Sequence, residues 1–461
     1  MTLALRLRRS GSVPEVARPH LLYIAFFYPP SRSSGVYRAH ATVNSFVRKG
    51  WDVTVVTPDD GFFDRATGSS DWSLVNDIPD VVDVVRVPFD LAATRGVDLR
   101  KFGWFAGNFH WLNFRIKKLG RRTRKAREVL AGQDALGFEF VDRYVGWIDP
   151  VVKAGLRTSR SKPIGAILAT GNPFSSFEAA RLLGRVLDVP YAIDYRDPWA
   201  LNVRTGEVLE RTAGTVEAER RIVTEAGFAV FVNSATVDLY TEIYPELTDK
   251  CHVFFNGFDE ASLSSDVVPV VDPLRFGMLG TATDLWPLEE FFEAWRRTRS
   301  ELGDNPSVAL GGYLGYFAWS ASPLEDLFPT REEGFQYLGP VPKMEVGSFY
   351  DSVDVIVVLL FGGPIITAGK MYETMAQGKP ILCVQPPDGG ARKVFEEHPY
   401  AVCVDPDPDA IVDGLKRVAE LARSTTVEHR EQVRSDMRRY ERLTELDRLV
   451  DRVAEMIGDA R

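Results

Sequence analysis

Two doubly wound α/β domains facing across a cleft are the fold class this chain predicts, on three observations. Short apolar runs rich in branched and aromatic residues recur along most of the 461 residues, without clean alternation, as strands covered on both faces of a parallel sheet require. Amphipathic helical stretches lie between them, so the chain reads as a βα series. That series starts twice, and the weakly apolar segment Ala261 to Asp266, followed by Pro269 and Pro273, separates the two runs.

The first run contains Leu21 to Tyr28, Val53 to Thr57, Val81 to Val87, Ile164 to Ala169, Tyr191 to Asp194, Ala229 to Asn233 and His252 to Phe255. Helices are expected at Val36 to Lys49 and at Phe177 to Leu187, the second carrying Ala179, Ala180, Leu183 and Val186 on one face. The second run contains Arg275 to Leu279, Val308 to Leu310, Phe335 to Leu338, Val353 to Leu360, Ile381 to Gln385 and Ala401 to Val404. From Thr426 onward the chain is charged and helical. Leu443, Leu446, Leu449, Val450, Val453 and Met456 are spaced there to cover a partner surface, so a C-terminal helix is expected to cross back over the first domain. The resulting division is a variable segment over 1–19, a first domain over 20–262 with an insertion around 95–150, a second domain over 273–425 and a helical segment over 426–461.

Composition narrows the function. A net charge of -9 disfavours long-range attraction of nucleic acid but leaves room for a local cationic pocket. No run reaches the ~18 apolar residues of a membrane span, and Met1 to Val13 lacks the apolar stretch of a secretion signal, so a cytoplasmic protein is expected. The three cysteines, Cys251, Cys383 and Cys403, are far apart, and the six histidines form no ligand spacing, so no metal is expected. Segment 109–127 carries eight lysines or arginines interleaved near its start with Phe109, Trp111, Leu112, Phe114 and Ile116. It reads first as a solvated helix packed on its own domain, and second as a peripheral contact with the inner face of a membrane.

Ligands of open parallel sheets sit beyond the carboxyl ends of the strands, which singles out four loops. Pro29 to Arg38 includes Gly35, where the backbone can approach a substrate. Thr170 to Ser176 carries Asn172, both donor and acceptor. Asp194 to Trp199 sets Arg196 and Asp197 beside aromatic rings, Arg196 to pair with a phosphate or with Asp197, Trp199 to wall a sugar or to close the core. Phe361 to Thr367 brings Gly362 and Gly363 up to Lys370 and Glu373. With Thr367 as N-cap and Gly378 just past its end, a helix is expected from Ala368 to Gln377. Its amides and Lys370 suit a diphosphate, and Glu373 suits vicinal hydroxyls.

These residues resemble the retaining nucleotide-sugar glycosyltransferases of family 4, which have the GT-B fold of two Rossmann-like domains. The likeness runs from about Leu21 to Val418. It rests on Tyr28-Pro29-Pro30 through Gly35, Val53 to Thr57, Asp194-x-Arg196-Asp197-x-Trp199, Asn256-Gly257-x-Asp259, Phe276 to Gly280, Leu338 to Pro342 and the Lys370/Glu373 helix. It implies transfer of a sugar from a nucleoside diphosphate donor, with retention and without a cofactor, to a small-molecule, natural-product or lipid-linked acceptor. It places the base at Leu338, Val341 and Pro342, the ribose at Glu373, and the diphosphate at Gly280, Thr281, Gly362, Gly363 and Lys370. Asn172, Arg196, Asp197 and Lys370 fall in the catalytic region, with Gly35, Tyr37, His110 and Trp199 on the acceptor side. Two positions depart from the family pattern. Ile365 stands where the first of two glutamates is usual, and Gly280 to Asp284 lacks the usual arginine and lysine. A nucleotide-sugar epimerase, a cyclitol-coupling enzyme and a silent nucleotide-sugar binder are the competing readings.

Overall fold

The computed structural model describes residues 18–459 except 34, 68–69, 90–141, 143, 203–205, 207–212, 266–269, 271, 316–321 and 366–369. A first sheet holds β1 (His20–Ala25), β2 (Asp52–Pro58), β3 (Val82–Val87), β4 (Ala166–Gly171), β5 (Tyr191–Tyr195), β6 (Phe228–Phe231) and β7 (Cys251–Val253). A second holds β8 (Arg275–Leu279), β9 (Ser307–Gly311), β10 (Phe335–Gly339), β11 (Val355–Leu359), β12 (Ile381–Val384) and β13 (Ala401–Val404). Every pairing is parallel. Each of the apolar runs read from the sequence overlaps one of these strands, with ends that differ by a few residues.

The helices that matter to the site are α1 (Gly35–Arg48), α2 (Asp60–Thr67), α3 (Ile148–Ser161), α4 (Ser175–Leu187), α5 (Ala213–Glu225), α6 (Ser234–Ile243), α7 (Leu288–Thr298), α8 (Val346–Asp351), α9 (Met371–Met375), α10 (Gly390–Glu396), α11 (Pro408–Ser424), α12 (Val427–Met437) and α13 (Arg442–Asp459). They cover both faces of the sheets, which is why the strands do not alternate. In the first sheet Leu22, Ile24, Ile167 and Ile193 pack on the side of α3 and α4. Leu21, Tyr23, Leu168 and Val230 face the opposite layer, formed by α1 and α13.

That second layer explains the C-terminal pattern. Leu446, Leu449, Val450, Val453 and Met456 are buried against the first sheet's layer, each contributing roughly 1.5 to 3 kcal/mol, while Leu443 is only half-buried. The chain thus leaves the first sheet through 254–265, builds the second, and returns through 438–442. Outgoing and returning segments run side by side: Phe258 N–H donates to Tyr440 O at 3.2 Å, and Arg442 N–H donates to Phe258 O at 2.9 Å.

The strand orders are 3-2-1-4-5-6-7 and 10-9-8-11-12-13. In each sheet the chain reverses direction across the sheet at one place, between β1 and β4 and between β8 and β11. Loops leaving the two strands at such a reversal diverge to opposite faces and open a crevice. The four loops singled out in the sequence follow β1, β4, β5 and β11, and Gly280, which the resemblance added, follows β8.

The expected helix from Ala368 to Gln377 is shorter than read. Helix α9 spans Met371–Met375, with Lys370 as its N-cap, and 366–369, including the expected cap Thr367, lie outside the described residues. Its end is set by tertiary bonds that no local propensity reports. The Gln377 side chain accepts from Ser264 N–H at 2.8 Å and donates to Ser262 O at 3.1 Å. Gly378 then turns at φ +63°, where a Cβ would lie 2.5 Å from Arg430 O.

Candidate functional site

Arg38, in the first turn of α1, donates through Nε and Nη2 to both carboxylate oxygens of Asp194, at 2.9 Å each. A cation at a helix N-terminus is unfavourable by itself. Here Asp194, the fourth residue of β5, neutralises it, and both side chains are buried. Burial pulls the Arg38 guanidinium down, but Asp194 outweighs burial and holds it above its ordinary value. Arg38 Nη1 also donates to Phe255 O at 3.0 Å, tying α1 to the outgoing segment. This pair was not read from the sequence. A cation one turn into a helix that follows a buried strand, with an acid inside another buried strand, was the available signal.

Two residues along β5's loop, Arg196 does not pair with Asp197, as one sequence reading allowed. Asp197 is exposed. Arg196 instead donates to the backbone carbonyls of Gly171, at 3.3 Å, and Asn172. The strands explain the choice, because β4 and β5 are neighbours and Arg196 N–H already bonds Gly171 O at 3.0 Å. The guanidinium lies over the Phe27 ring at 5.5 Å and against Gly35, and its Nη1 makes no hydrogen bond among the described residues. Burial pulls its pKa down, the neighbouring Arg38 also lowers it, and Asp197 and Asp194 oppose both. Gly35, Asn172 and Arg196 therefore meet at the β1/β4 crevice. Tyr37 stands half-buried one residue before Arg38.

Trp199 does not wall the crevice. It is 6% exposed, stacks on Phe174 with ring centroids 5.2 Å apart, and its backbone N–H donates to Tyr240 Oη at 3.0 Å. Its indole completes the core, the other alternative the sequence offered. His110 lies outside the described residues.

At the second reversal, the loops after β8 and β9 run in contact. Gly280 N–H donates to Gly311 O at 3.0 Å, and a Cβ on Gly312, at φ +132°, would sit 1.8 Å from Gly280 O. Only glycine allows this approach. Thr281 is half-buried beside Gly280. Across the crevice, Gly363 O accepts from Gly390 N–H at 3.0 Å, and Gly362 precedes it. Ile365, at the position where the resembled family has a glutamate, is buried, and its carbonyl accepts from Asn233 Nδ2 at 3.5 Å. The backbone at this position contacts the α6 cap of the first sheet, and the burial of its side chain suits an apolar residue.

Glu373 is the best-organised acid of this crevice. Its Oε1 accepts from Lys370 Nζ at 3.1 Å and from Tyr350 Oη at 3.0 Å, whereas Oε2 takes no hydrogen bond among the described residues. Lys370 is 42% exposed and the Glu373 side chain 12%. The carboxylate is anchored from below and open to accept two hydroxyl donors. Because α9 has only five residues, its amides add little to Lys370 as an anion site. Leu338 is exposed at the end of β10, Val341 packs on Gly311 and Pro342 leads into a single turn at Lys343–Glu345.

Among the described residues no group of His, Cys, Asp and Glu is arranged to hold a metal ion, and no helix is long and apolar enough to cross a membrane. A cavity of about 660 Å³ lies between the outgoing linker and α12, lined by Phe258, Leu263, Ser265, Arg434 and Arg438. Its lining comes from the linker and the C-terminal helical segment and not from the loops that follow the strands.

No family model matches the chain, and no curated protein sequence matches it. Solved structures do. A glycosyltransferase from Rickettsia africae ESF-5 superposes with a TM-score of 0.60 at 11% identity, covering 96% of this chain and 99% of the other. Anabaena Alr3699/HepE, crystallised with UDP and glucose, gives 0.58 at 12% identity, covering 96% and 100%. UDP-GlcNAc 2-epimerase from Methanocaldococcus jannaschii gives 0.52 at 9% identity, covering 95% and 99%. These likenesses establish the fold: two Rossmann-like domains in a GT-B arrangement.

Proposed function

We propose that the chain is a retaining glycosyltransferase that moves a sugar from a nucleoside diphosphate donor to a small-molecule or lipid-linked acceptor. The observation that carries this reading is the Lys370–Glu373–Tyr350 cluster at the β8/β11 reversal, opposite a cationic β1/β4 crevice. Its topological place is the one where nucleotides bind to doubly wound sheets. The similar Anabaena protein, crystallised with UDP, lends support to a nucleotide donor.

The base lies against Leu338, Val341 and Pro342, and Glu373 Oε2 accepts from the ribose hydroxyls. The diphosphate sits over Gly280, Thr281, Gly362 and Gly363 and beside Lys370. Gly280 to Asp284 lacks cations, so Arg196, with a free Nη1 across the cleft, takes the role that a second-domain arginine has in relatives. As the glycosidic bond breaks, negative charge grows on the leaving diphosphate and positive character on the sugar. Loss of one fixed donor to such a charge costs roughly 3 to 4 kcal/mol of transition-state stabilisation. Asn172 and Asp197 lie on the acceptor side of Arg196, with Gly35 and Tyr37. Closure of the domains excludes water, the competing nucleophile. Retention follows a same-face course with the donor phosphate as base, as the resemblance implies.

The test is a thermal-shift panel of UDP-, GDP-, ADP- and dTDP-sugars, followed by acceptor-dependent release of nucleoside diphosphate and anomeric analysis of the product. Stabilisation by none of the four refutes the reading. Conversion of donor without acceptor supports an epimerase in its place.

A further inference from the structure

We propose that Lys343 is a positioning residue that couples occupancy of the nucleotide-base loop to closure of the two domains. The inference rests on the reading of Leu338 to Pro342 as the base loop. Lys343 directly follows that loop, and its ammonium has two partners outside the second sheet. Nζ lies 2.8 Å from Asp259 Oδ2 and 4.5 Å from the centroid of the Tyr37 ring. Asp259 belongs to the outgoing segment between the sheets and also accepts, through Oδ1 at 2.9 Å and Oδ2 at 2.8 Å, from Nη1 of Arg442, the first residue of the returning helix. Burial would raise the Asp259 pKa, but Arg442 and Lys343 together hold it below the ordinary carboxylate value.

The geometry separates hinge from latch. Asp259 and Arg442 fasten the outgoing and returning chain crossings to one another, which suits them to the hinge side of the device. Tyr37 is on α1, two residues after Gly35, and reaches Lys343 only when the domains approach. A second contact of the same kind lies on the same loop with the roles exchanged: Arg32 of the first domain covers the Tyr313 ring of the second at 5.0 Å. Lys343 is 40% exposed, so each contact is weak enough to break and re-form, as a closing device requires. A base seated on 338–342 fixes the loop that carries Lys343, and so favours the closed arrangement.

The full chain would be compared with Lys343→Met, Tyr37→Leu, the double variant and Lys343→Arg. Small-angle scattering reads the radius of gyration with and without UDP, and calorimetry reads the Kd for UDP. Lys343→Met and Tyr37→Leu are each expected to enlarge the UDP-bound molecule and to weaken UDP binding roughly fivefold. The double variant should be no worse than either, and Lys343→Arg should behave as wild type. Full additivity of the two changes would overturn the proposal, since Lys343 would then act without Tyr37. An unchanged radius of gyration in every variant would overturn it as well. Wild-type protein that binds no UDP would sink the donor reading for that base alone; the radii of the unliganded variants still decide the latch, expansion sustaining it and identity refuting it.

Discussion

Arg196 occupies the space in which a side chain at position 35 would begin: a Cβ on Gly35 would lie 1.4 Å from Arg196 Nη1. The obstruction is the far end of a flexible side chain and not backbone, so Gly35→Ala should displace Arg196 and leave the fold intact. Gly35 is the first residue of α1, where alanine has little of the advantage over glycine that it has in a helix interior. Thermal stability is therefore expected to change little while kcat/KM falls about 100- to 1000-fold, the worth of one fixed donor to the leaving diphosphate. In an Arg196→Ala background the same change should add little. Equal losses in both backgrounds would show that Gly35 acts independently of Arg196.

The Arg38–Asp194 pair makes a stability prediction. Removing one partner of a buried pair strands the other charge, at a cost of about 3 to 5 kcal/mol, whereas replacing both by apolar groups recovers much of it. Asp194→Ala should therefore lower the urea midpoint strongly, and Arg38→Met with Asp194→Leu should be more stable than Asp194→Ala. The reverse order would mean that the carbonyl of Phe255 alone satisfies Arg38.

Strand positions were legible because both faces of the sheets are covered, so runs such as Leu21 to Tyr28 and Ile381 to Val384 are apolar throughout. The crevice loops were legible in part, since Gly35 and Gly363 mark places where chain passes chain, whereas Gly312, which packs against Gly280 O, was not read. Partners were not. Arg196 reads as a mate for its neighbour Asp197, yet the pairing of β4 with β5 puts the carbonyls of Gly171 and Asn172 within its reach. Trp199 beside charges reads equally as a sugar wall or as a core residue, and only the stacking of Phe174, 25 residues earlier, decides for the core. The end of α9 depends on Ser262 and Ser264, more than a hundred residues away along the chain. Long-range contacts decide these cases, and local pattern does not carry them.

Donor recognition can be dissected at Glu373. Glu373→Ala removes the acceptor offered to ribose and strands the Tyr350 hydroxyl, so the Kd for UDP should rise about 10- to 100-fold, as for loss of hydrogen bonds to a charged group. Tyr350→Phe removes only one support and should cost a few-fold at most. Lys370→Met should weaken UDP more than uridine, because its ammonium serves the phosphates. Calorimetry with UDP and uridine separates the two contributions; equal weakening of both ligands by Lys370→Met would move the diphosphate elsewhere.

Glu219 in α5 is buried beneath the Trp199 loop, where it accepts from Tyr240 Oη at 2.6 Å and Tyr244 Oη at 3.0 Å. Burial pushes its carboxyl up to about 7 from an ordinary 4.5, against the opposing pull of these hydrogen bonds. A carboxyl raised on folding binds a proton that the unfolded chain gives up, so its contribution is complete below about pH 4.5 and declines as pH rises to about 7, with no further change above. The loss amounts to about 3 kcal/mol over that window. Glu219→Gln keeps an acceptor for Tyr240 and cannot titrate. Its stability relative to wild type should therefore improve by about that amount between pH 4.5 and 7.5, measured by urea unfolding at the two pH values. A difference that stays constant with pH would mean that Glu219 remains ionised among its tyrosines, and that the Trp199 loop rests on a buried charge and not on a protonated acid.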